Sequence, residues 1–492
     1  MARLALGRWA ALSIAVVLVA SGCSGQGDDA DALADALADV TSDADTGDAT
    51  VEHDTQDLPD TQDDALDADA TDGAPDLDAD ETELGDARPP AEDLGLPPEP
   101  PALTCDLTVG TEGDVQTTVQ EALVLVPEGG VVCLEAGTYV FRRQLDIAVD
   151  AITLRGAGQA DTILDFKKSE NGGNGIRISS DRVTIRDLTV RDPPGDGVRA
   201  DEVVGLTFWR VSAIWDTVDT SDNGAYGLYP VLCKDVLIRE CFAEGAKDAG
   251  IYLGQSQQAL LIGNEVRGNI MGFEIENSVD VDVRENHIHD NTVGILITHL
   301  PDRPFNQSAR TKLHHNLIES NNLPNFGTQV GISHVPSGLG VGIVGSDANE
   351  VHDNIVRDHG FSGLAILMGS TTIFGPFNTD EYEGWPHDNY VHDNTWVDNG
   401  TDPPDDASTM WMMNYLGLQE PLATLLVDSC AQPDAAAAGQ GPNCFEEPSL
   451  SDYVDAQLCG SGEQVTGELS ALTCEGTALP AVVPARARAG AR

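Results

Sequence analysis

The sequence predicts an all-β protein that folds as a parallel β-solenoid, and three observations support this prediction. A unit of about 22 residues recurs along the chain and is clearest in two consecutive copies, residues 248–270 and 271–291. Each copy opens on a glycine followed by an apolar alternation, and each ends on two asparagines five residues apart. A unit this short, with two period-2 strands, is too small for a helical pair and fits one solenoid coil.

Stacking of such coils predicts columns of equivalent residues, because one coil cannot bury its own apolar face and must pack on its neighbours about 4.8 Å away. Two columns are expected to point inward. The first holds Ile176, Val198, Leu228, Ile251, Phe273, Ile295, Ile343 and Leu364, and the second holds Ile178, Ala200, Pro230, Leu253, Ile275, Ile297 and Ile366.

The recurring asparagines predict a structural ladder at the corners of the coils, in which each amide bonds the amide or backbone of the next coil. They carry no chemistry in this interpretation. One set is Asn264, Asn286, Asn316, Asn354 and Asn394, and the other is Asn269, Asn291, Asn321, His359 and Asn399.

The N-terminus has the pattern of an export signal, with Arg3 and Arg8 before a short apolar run. The run ends in Ala-Ser-Gly-Cys, which resembles a bacterial lipobox, so residues 1–23 are expected to yield a protein lipidated at Cys23. By the same resemblance Ser24 favours the outer membrane, with the protein on its periplasmic or cell-surface side. Cleavage near Ala20 with an unmodified cysteine is the alternative.

Residues 24–102 are rich in Asp, Ala, Thr, Gly and Pro, and they predict a disordered acidic tether that would span roughly 50 Å even as an ideal coil. A calcium-binding acidic tail is the alternative. The whole chain has 82 acidic and 26 basic residues, a net charge of -56, which argues against nucleic acid as a partner.

The folded part opens with an amphipathic segment, residues 113–123, that predicts a short helix capped by Thr117 or Thr118. A Gly-Gly turn, the strand 131–134 and Gly-Thr-Tyr at 137–139 follow. This order resembles the N-terminal entry of pectate-lyase-like right-handed β-helices, where the helix caps the open end of the core.

Three further stretches, residues 222–231, 248–256 and 274–278, resemble a bacterial family of exported parallel β-helix repeat proteins. The resemblance covers residues 103–482 and implies a right-handed parallel β-helix with an N-terminal capping helix. It implies no particular activity. We expect the β-helix over 103–400, a cysteine-containing segment over 401–482 and a disordered tail over 483–492.

Eight cysteines besides Cys23 predict disulfides in an exported protein. Neighbour pairing would join Cys105 to Cys133, Cys233 to Cys241, Cys430 to Cys444 and Cys459 to Cys474. Cys241 occupies an asparagine position of the repeat, so a free buried thiol is the alternative there.

The outward positions of the first strand of each coil form the candidate site. Their columns contain tyrosines that could stack on sugar rings, arginines that could pair with uronate carboxylates, and paired acids suited to glycoside cleavage. Glu274 and Glu276 would share one face about 7 Å apart at the backbone. The candidates are Glu274, Glu276 and Asp201 for catalysis, and Arg177, Arg199, Tyr229, Tyr252 and Gln255 for substrate binding.

These residues favour polysaccharide recognition, with lyase, epimerase or hydrolase chemistry as the candidate reactions. The alternative is a non-catalytic envelope scaffold that docks a protein partner, which predicts a flat, exposed sheet. A third interpretation is metal binding by His314, His352 and His392, which are expected to share an outward column with Arg284. We predict a solvated polar face there and no metal site.

Overall fold

A computed structural model describes residues 103–170, 173–329, 331–370, 374, 382, 384–428, 440–456 and 465–484. The predicted signal, lipidation site and tether therefore lie outside the described residues. Within these residues, no helix is long and apolar enough to cross a membrane. The described chain is nearly all β, as predicted, and forms a parallel β-helix with one helix at its start.

The elements follow one another in coils of up to three short strands. In chain order the strands are β1 Leu107–Val109, β2 Val131–Leu134, β3 Gly137–Val140, β4 Leu145–Ile147, β5 Thr153–Arg155, β6 Thr162–Asp165, β7 Ile176–Ile178, β8 Thr184–Arg191, β9 Val198–Asp201, β10 Val204–Ile214, β11 Tyr226–Val231, β12 Lys234–Arg239, β13 Phe242–Glu244, β14 Ala249–Gly254, β15 Gln257–Ile262, β16 Glu265–Arg267, β17 Met271–Glu276, β18 Val279–Arg284, β19 His287–His289, β20 Val293–Thr298, β21 Ala309–His314, β22 Leu317–Glu319, β23 Leu339–Val344, β24 Glu350–His352, β25 Ile355–Arg357, β26 Ser362–Leu367, β27 Tyr390–His392, β28 Thr395–Val397, β29 Leu425–Val427, β30 Cys444–Glu446, β31 Asp452–Asp455 and β32 Val465–Glu468. The α-helices are α1 Val115–Leu125 and α2 Ala407–Leu416, and 3-10 turns cover Ile332–His334 and Leu469–Leu472.

The strands form two sheets that enclose the core. Sheet 1 has twelve described strands in the order β4-β7-β9-β11-β14-β17-β20-β23-β26-β29-β31-β32, parallel except for the last pair. Sheet 2 has twenty, and it bends into two walls that are joined where β8 and β10 run through both. Each full coil therefore has three strands, one more than the repeat predicted. The strand that the repeat missed is the middle one, such as β15.

The predicted inward columns are confirmed in register, with one correction. Ile251, Phe273 and Ile295 lie directly over one another and are fully buried. Ile343, however, lies in the second column on Ile297, and Val341 takes its place in the first. The cause is that Gly340, and not Gly342, is the opening glycine of this coil, since a Cβ at Gly340 would lie 2.6 Å from the carbonyl oxygen of Gly363, the opening glycine of the next coil.

Both asparagine ladders are present and buried. Asn286 shows the pattern: its Oδ1 accepts from the backbone and side-chain amides of Asn264 at 2.9 Å, and its Nδ2 donates to Asn316 at 2.9 Å. In the second ladder the His359 ring replaces an amide and connects Asn321 to Asn399. A third ladder, which the repeat did not reveal, joins Asn349, Asn389 and Asn443.

Helix α1 caps the first coils with Val119, Ala122 and Leu123 buried, as its apolar spacing predicted. The cap residue is Asp114, not Thr117 or Thr118, because the Asp114 carboxylate accepts the Thr117 N–H and hydroxyl. At the other end, stacking continues beyond residue 400, where the sequence repeat ends: β29 pairs with β26 and β30 with β27.

Neighbour pairing of the cysteines holds at only one place. Cys105 bonds Cys133 as predicted, whereas Cys444 bonds Cys474 across a sequence separation of 30. Cys233 and Cys241 are free, buried thiols, each at a corner position of a coil. Cys430 and Cys459 lie outside the described residues, but the Cys444–Cys474 bond excludes the predicted partners of both.

Candidate functional site

The outward columns of sheet 1 form in the predicted register. Arg177 lies over Arg199, Arg199 over Tyr229, and Tyr252 over Glu274. Beyond Glu274 the column continues through Leu296, Gly342 and Ala365. The face is neither flat nor exposed, however, since Tyr252 is 3% exposed and Glu274 only 8%.

A roof covers this face. It consists of the roof loop (residues 323–329 and 331–338), helix α2 and the loop 299–308. In the roof loop, the Asn325 amide donates to two carbonyls of the same loop at 2.8 and 2.9 Å. Thr409 of α2 accepts the Ser337 N–H at 3.0 Å, and the rings of His334 and Trp411 stack at 4.0 Å. The roof loop and α2 therefore act as one covering layer.

Between roof and sheet lies a cavity of about 290 Å³, near the lower limit for small-molecule sites. One end is polar and holds Asp248, Glu274, Glu276 and Arg303. The other end is apolar; it is lined by Leu339, Val344, Phe361, Leu367, Phe374 and Met412. Gly342 and Ala365 of the sheet leave the space that larger side chains would fill.

Three carboxyl groups and one guanidinium face the polar end. Arg303 donates from Nε to Glu276 Oε1 at 2.7 Å, and the loop that carries it is anchored by the Asn277 amide, which bonds Leu300 and Phe305. Glu274 Oε2 and Asp248 Oδ1 are buried without a hydrogen-bond partner. Glu276 is thus charge-paired, whereas Glu274 and Asp248 are left uncompensated.

The surroundings change the protonation of these acids. Burial raises the pKa of Glu274 well above its usual range, and the charges of Asp248 and Glu276 raise it further. Burial likewise raises the pKa of Asp248 to about 7, against a hydrogen bond from Tyr226. Burial and the neighbouring negative charges therefore favour the protonated form of Glu274, beside Glu276 in its ion pair with Arg303.

Three tyrosines continue the site toward the N-terminal coils. The rings of Tyr226, Tyr229 and Tyr252 lie with centroids 4.4 to 4.7 Å apart. The Tyr252 hydroxyl hydrogen-bonds to Glu276, and its ring lies over the bare Cα of Gly254. A Cβ at Gly254 would come within 2.1 Å of that hydroxyl, so only glycine permits this position.

The two arginines of this face, toward the N-terminal coils, are already paired with carboxylates of the protein. Arg177 and Arg199 both contact Asp201, at 3.2 and 2.9 Å, and Arg199 also lies 4.8 Å from the Tyr229 ring centroid and 3.6 Å from Asp196. Asp201 is three coils from Glu276, roughly 14 Å along the stack, beyond the separation of about 5 to 9.5 Å found between the two carboxyls of glycosidases. It serves the arginines and not the carboxyl pair.

Gln255 lies at the corner after β14 with a positive φ of 52°. Its backbone N–H donates to the Glu276 carbonyl at 2.7 Å, and its half-buried side chain lies outside the cavity lining. Its role is thus to hold the end of the strand that carries Glu276.

Sequence reasoning missed Asp248, Tyr226 and Arg303. Asp248 and Tyr226 stand at the starts of strands, where the repeat gives no outward column. Arg303 lies in a loop that interrupts the repeat, so no register could place it. The only signal available was the loop's position directly after the strand that stacks on Glu276.

The histidine column is also present, with Arg284, His314, His352 and His392 in register. The three imidazoles stack at 4.9 Å, but among the described residues no group of three or more His, Cys, Asp or Glu is arranged to hold a metal ion. The C-terminal segment crosses this wall, where the Leu479 N–H donates to Glu350 at 2.7 Å. The wall is therefore partly covered and not fully solvated.

Comparison with known proteins agrees with this architecture. Residues 174–335 match the family model of the right-handed β-helix region. No curated protein matches the sequence.

Solved structures with similar folds include the A-module of the mannuronan C-5 epimerase AlgE4 of Azotobacter vinelandii, with 14% identity over 70% of this chain and 95% of that chain and a TM-score of 0.48. An alginate lyase from Paenibacillus sp. strain FPU-7 has 15% identity over 61% of this chain and 99% of its own, with a TM-score of 0.39. Pectate lyase Pel9A has 12% identity over 62% and 82%, with a TM-score of 0.40.

Proposed function

We propose that this right-handed β-helix protein binds a glycan on sheet 1 and hydrolyses it in the roofed cavity, with Glu274 as general acid and Glu276 as the ionised partner. The observation that carries the proposal is the pair itself: two carboxyls on one strand face, one with a buried oxygen that lacks a hydrogen-bond partner and one held by Arg303. Glycoside hydrolysis needs one carboxyl that holds a proton and one that does not.

In this reaction Glu274 gives its proton to the leaving glycosidic oxygen as the bond from the sugar carbon to that oxygen breaks. Glu276 takes a proton from the attacking water, whose oxygen forms the new bond to the carbon. Tyr226 and Tyr229, the partly exposed tyrosines toward the N-terminal coils, provide ring faces for the neighbouring sugars. A lyase or epimerase acting on uronates is less well supported, because it requires a cation for the sugar carboxylate, and Arg177, Arg199 and Arg303 are each paired with protein carboxylates.

We also propose that the protein is exported and held at the outer membrane by lipid on Cys23, with residues 24–102 as its tether, on the sequence pattern alone. The scaffold alternative requires a flat, exposed sheet. The roof over Tyr252 and Glu274 supports the glycan proposal instead.

The test compares hydrolysis of neutral, amino and uronate oligosaccharides by the wild-type protein with that by Glu274→Gln and Glu276→Gln. Removal of either group should lower the rate by at least about 100-fold, the usual contribution of a positioned acid or base. Glu121→Gln, on the exposed face of α1, is the matched control and should leave the rate unchanged. Unaltered rates in both cavity variants, or no hydrolysis of any glycan, would refute the proposal.

A further inference from the structure

The charged groups that line the cavity do not balance. Three carboxyls, of Asp248, Glu274 and Glu276, face the single guanidinium of Arg303. Arg303 is engaged by Glu276, so its charge is already used. Glu274 Oε2 and Asp248 Oδ1 remain buried acceptors with nothing to accept from. Buried polar atoms without partners are uncommon and destabilising, so a ligand that completes them is the simplest physical reason for their presence.

An anionic sugar fits this site poorly. A uronate carboxylate in the cavity would lose its hydration without gaining a free cation among the charged lining residues, since Arg303 is paired with Glu276, and burying an unpaired charge is costly. Arg177 and Arg199, which lie toward the N-terminal coils, do not supply a free cation either, since both are bound to Asp201. The cavity is thus selective for the opposite charge.

We infer that the sugar unit bound in the cavity carries a free amino group, and that its ammonium ion lies between Asp248 Oδ1 and Glu274 Oε2. An ammonium group has three N–H donors and no acceptor, which matches two carboxyl oxygens that lack donors. Such charge-assisted bonds are roughly twice as strong as neutral ones. The inference rests on the proposed glycan function and names its substrate class, a hexosamine that is not acylated on nitrogen.

The apolar end of the cavity strengthens this pairing. Leu339, Phe361 and Met412 line the part of the cavity that continues from the carboxyls, and an ion pair is stronger where the surroundings have a low dielectric constant. The apolar lining also gives the C–H face of the sugar ring a surface to pack on. An acyl group on the nitrogen would remove the charge and the donors that the two oxygens require.

The same arrangement couples binding to proton release. Burial raises the pKa of Asp248 to about 7; the charges of Glu276 and Asp196 act in the same direction, whereas the Tyr226 hydrogen bond and Lys247 act against it. Burial and the charges of Asp248 and Glu276 raise the pKa of Glu274, and Arg303 acts against them. Tyr252 also faces Glu276. A bound ammonium ion favours the ionised form of Asp248, so a proton leaves that carboxyl as it binds, while Glu274 keeps the proton that it donates in hydrolysis and accepts from the ammonium ion through Oε2.

The experiment measures binding of thio-linked tetramers of glucosamine, N-acetylglucosamine and galacturonic acid, which resist hydrolysis, to the full-length wild-type protein by titration calorimetry. The glucosamine tetramer should bind at least about tenfold more tightly than the other two, and buffers of different ionisation enthalpy should reveal proton release. Adding Asp248→Asn should weaken this binding at least tenfold, whereas adding Glu121→Gln should not.

The outcomes separate the two proposals. Equal or tighter binding of the acetylated or uronate tetramer would overturn the amino-sugar inference and leave the glycan function standing. Binding of none of the three would refute both. Retained binding in the Asp248→Asn variant, with a thermal transition at or above the parent's, would place the ammonium ion elsewhere and overturn the inference.

Discussion

The asparagine ladders and the roofed cavity both bury polar side chains in one solenoid, but they treat those side chains in opposite ways. In the ladder, Asn286 exchanges hydrogen bonds with the coils on both sides and with the Leu261 carbonyl. In the cavity, Glu274 and Asp248 each keep a carboxyl oxygen without a partner. The same stacking principle thus gives stability where like residues repeat and leaves reactive groups where the repeat is broken by loops.

The largest expected effect comes from breaking the ladder. Asn286→Ala would remove the acceptor of the Asn264 backbone N–H and a donor to the Leu261 carbonyl, both buried, and would also leave a small void. With about 1 to 3 kcal/mol for each unsatisfied group, the free energy of unfolding should fall by about 3 to 6 kcal/mol. Denaturant unfolding measures this, with Asn414→Ala on the exposed side of α2 as the control. A loss below 1 kcal/mol would show that the ladder is not a stabilising element.

In the cavity, by contrast, removal of a buried polar charge at Asp248 should stabilise the protein at neutral to alkaline pH. The folded-state pKa of Asp248 is about 7 and its ordinary value is 3.8, so the native state binds the extra proton and the protein loses stability as pH rises between these values. Asp248→Asn removes this loss, worth roughly 4 kcal/mol at 1.36 kcal/mol per pKa unit. The variant should melt above the wild type near pH 8 and close to it near pH 4.

Melting curves of both proteins across this range test the cavity prediction. Asp398→Asn, at an exposed carboxyl on the last coil of sheet 2, is the control and should follow the wild type. If Asp248→Asn and wild type keep a constant difference in Tm at every pH, the Asp248 carboxyl is not strained by burial.

A smaller effect is expected where the ladder itself contains a titratable group. His359 accepts from Asn321 and bonds Asn399, and burial lowers its pKa from 6.5 to about 4. The unfolded state takes up a proton first as the pH falls, so stability decreases between about pH 6.5 and 4, by roughly 3 kcal/mol. His359→Asn restores an amide and should abolish this loss of unfolding free energy at acid pH, as measured by denaturant unfolding across the same pH range. If the variant and the wild type lose the same unfolding free energy over this pH range, His359 is protonated in the folded protein.

The sequence predicted the position of a residue in the fold wherever consecutive coils repeat with the same spacing. It placed Tyr229, Tyr252 and Glu274 in one outward column because the coils that carry them are consecutive. The sequence placed Ile343 in the wrong column, because the long roof loop before β23 interrupts the 22-residue spacing from which the columns were assigned. The third ladder was missed for the same reason, since its asparagines are 40 and 54 residues apart.

What no repeat could predict is the roof. The burial of Glu274 depends on Arg303 and on helix α2, which begins at Ala407 outside the repeating strands. That the arginines are paired with Asp201 and Glu276 could not be predicted, because pairing depends on where these carboxylates point, and spacing along the chain does not determine this. The sequence predicts which residues share a column, whereas the protonation of a side chain depends on the groups that cover it.

One measurement tests the central claim that the cavity holds a neutral carboxyl beside an ionised one. Infrared difference spectroscopy at neutral pH compares the wild-type protein with Glu274→Gln and records the carbonyl band of a protonated carboxylic acid. Since burial raises the pKa of Glu274 well above its usual range, the wild type should show one such band that is absent from the variant. Identical spectra would mean that Glu274 is ionised and would contradict the account.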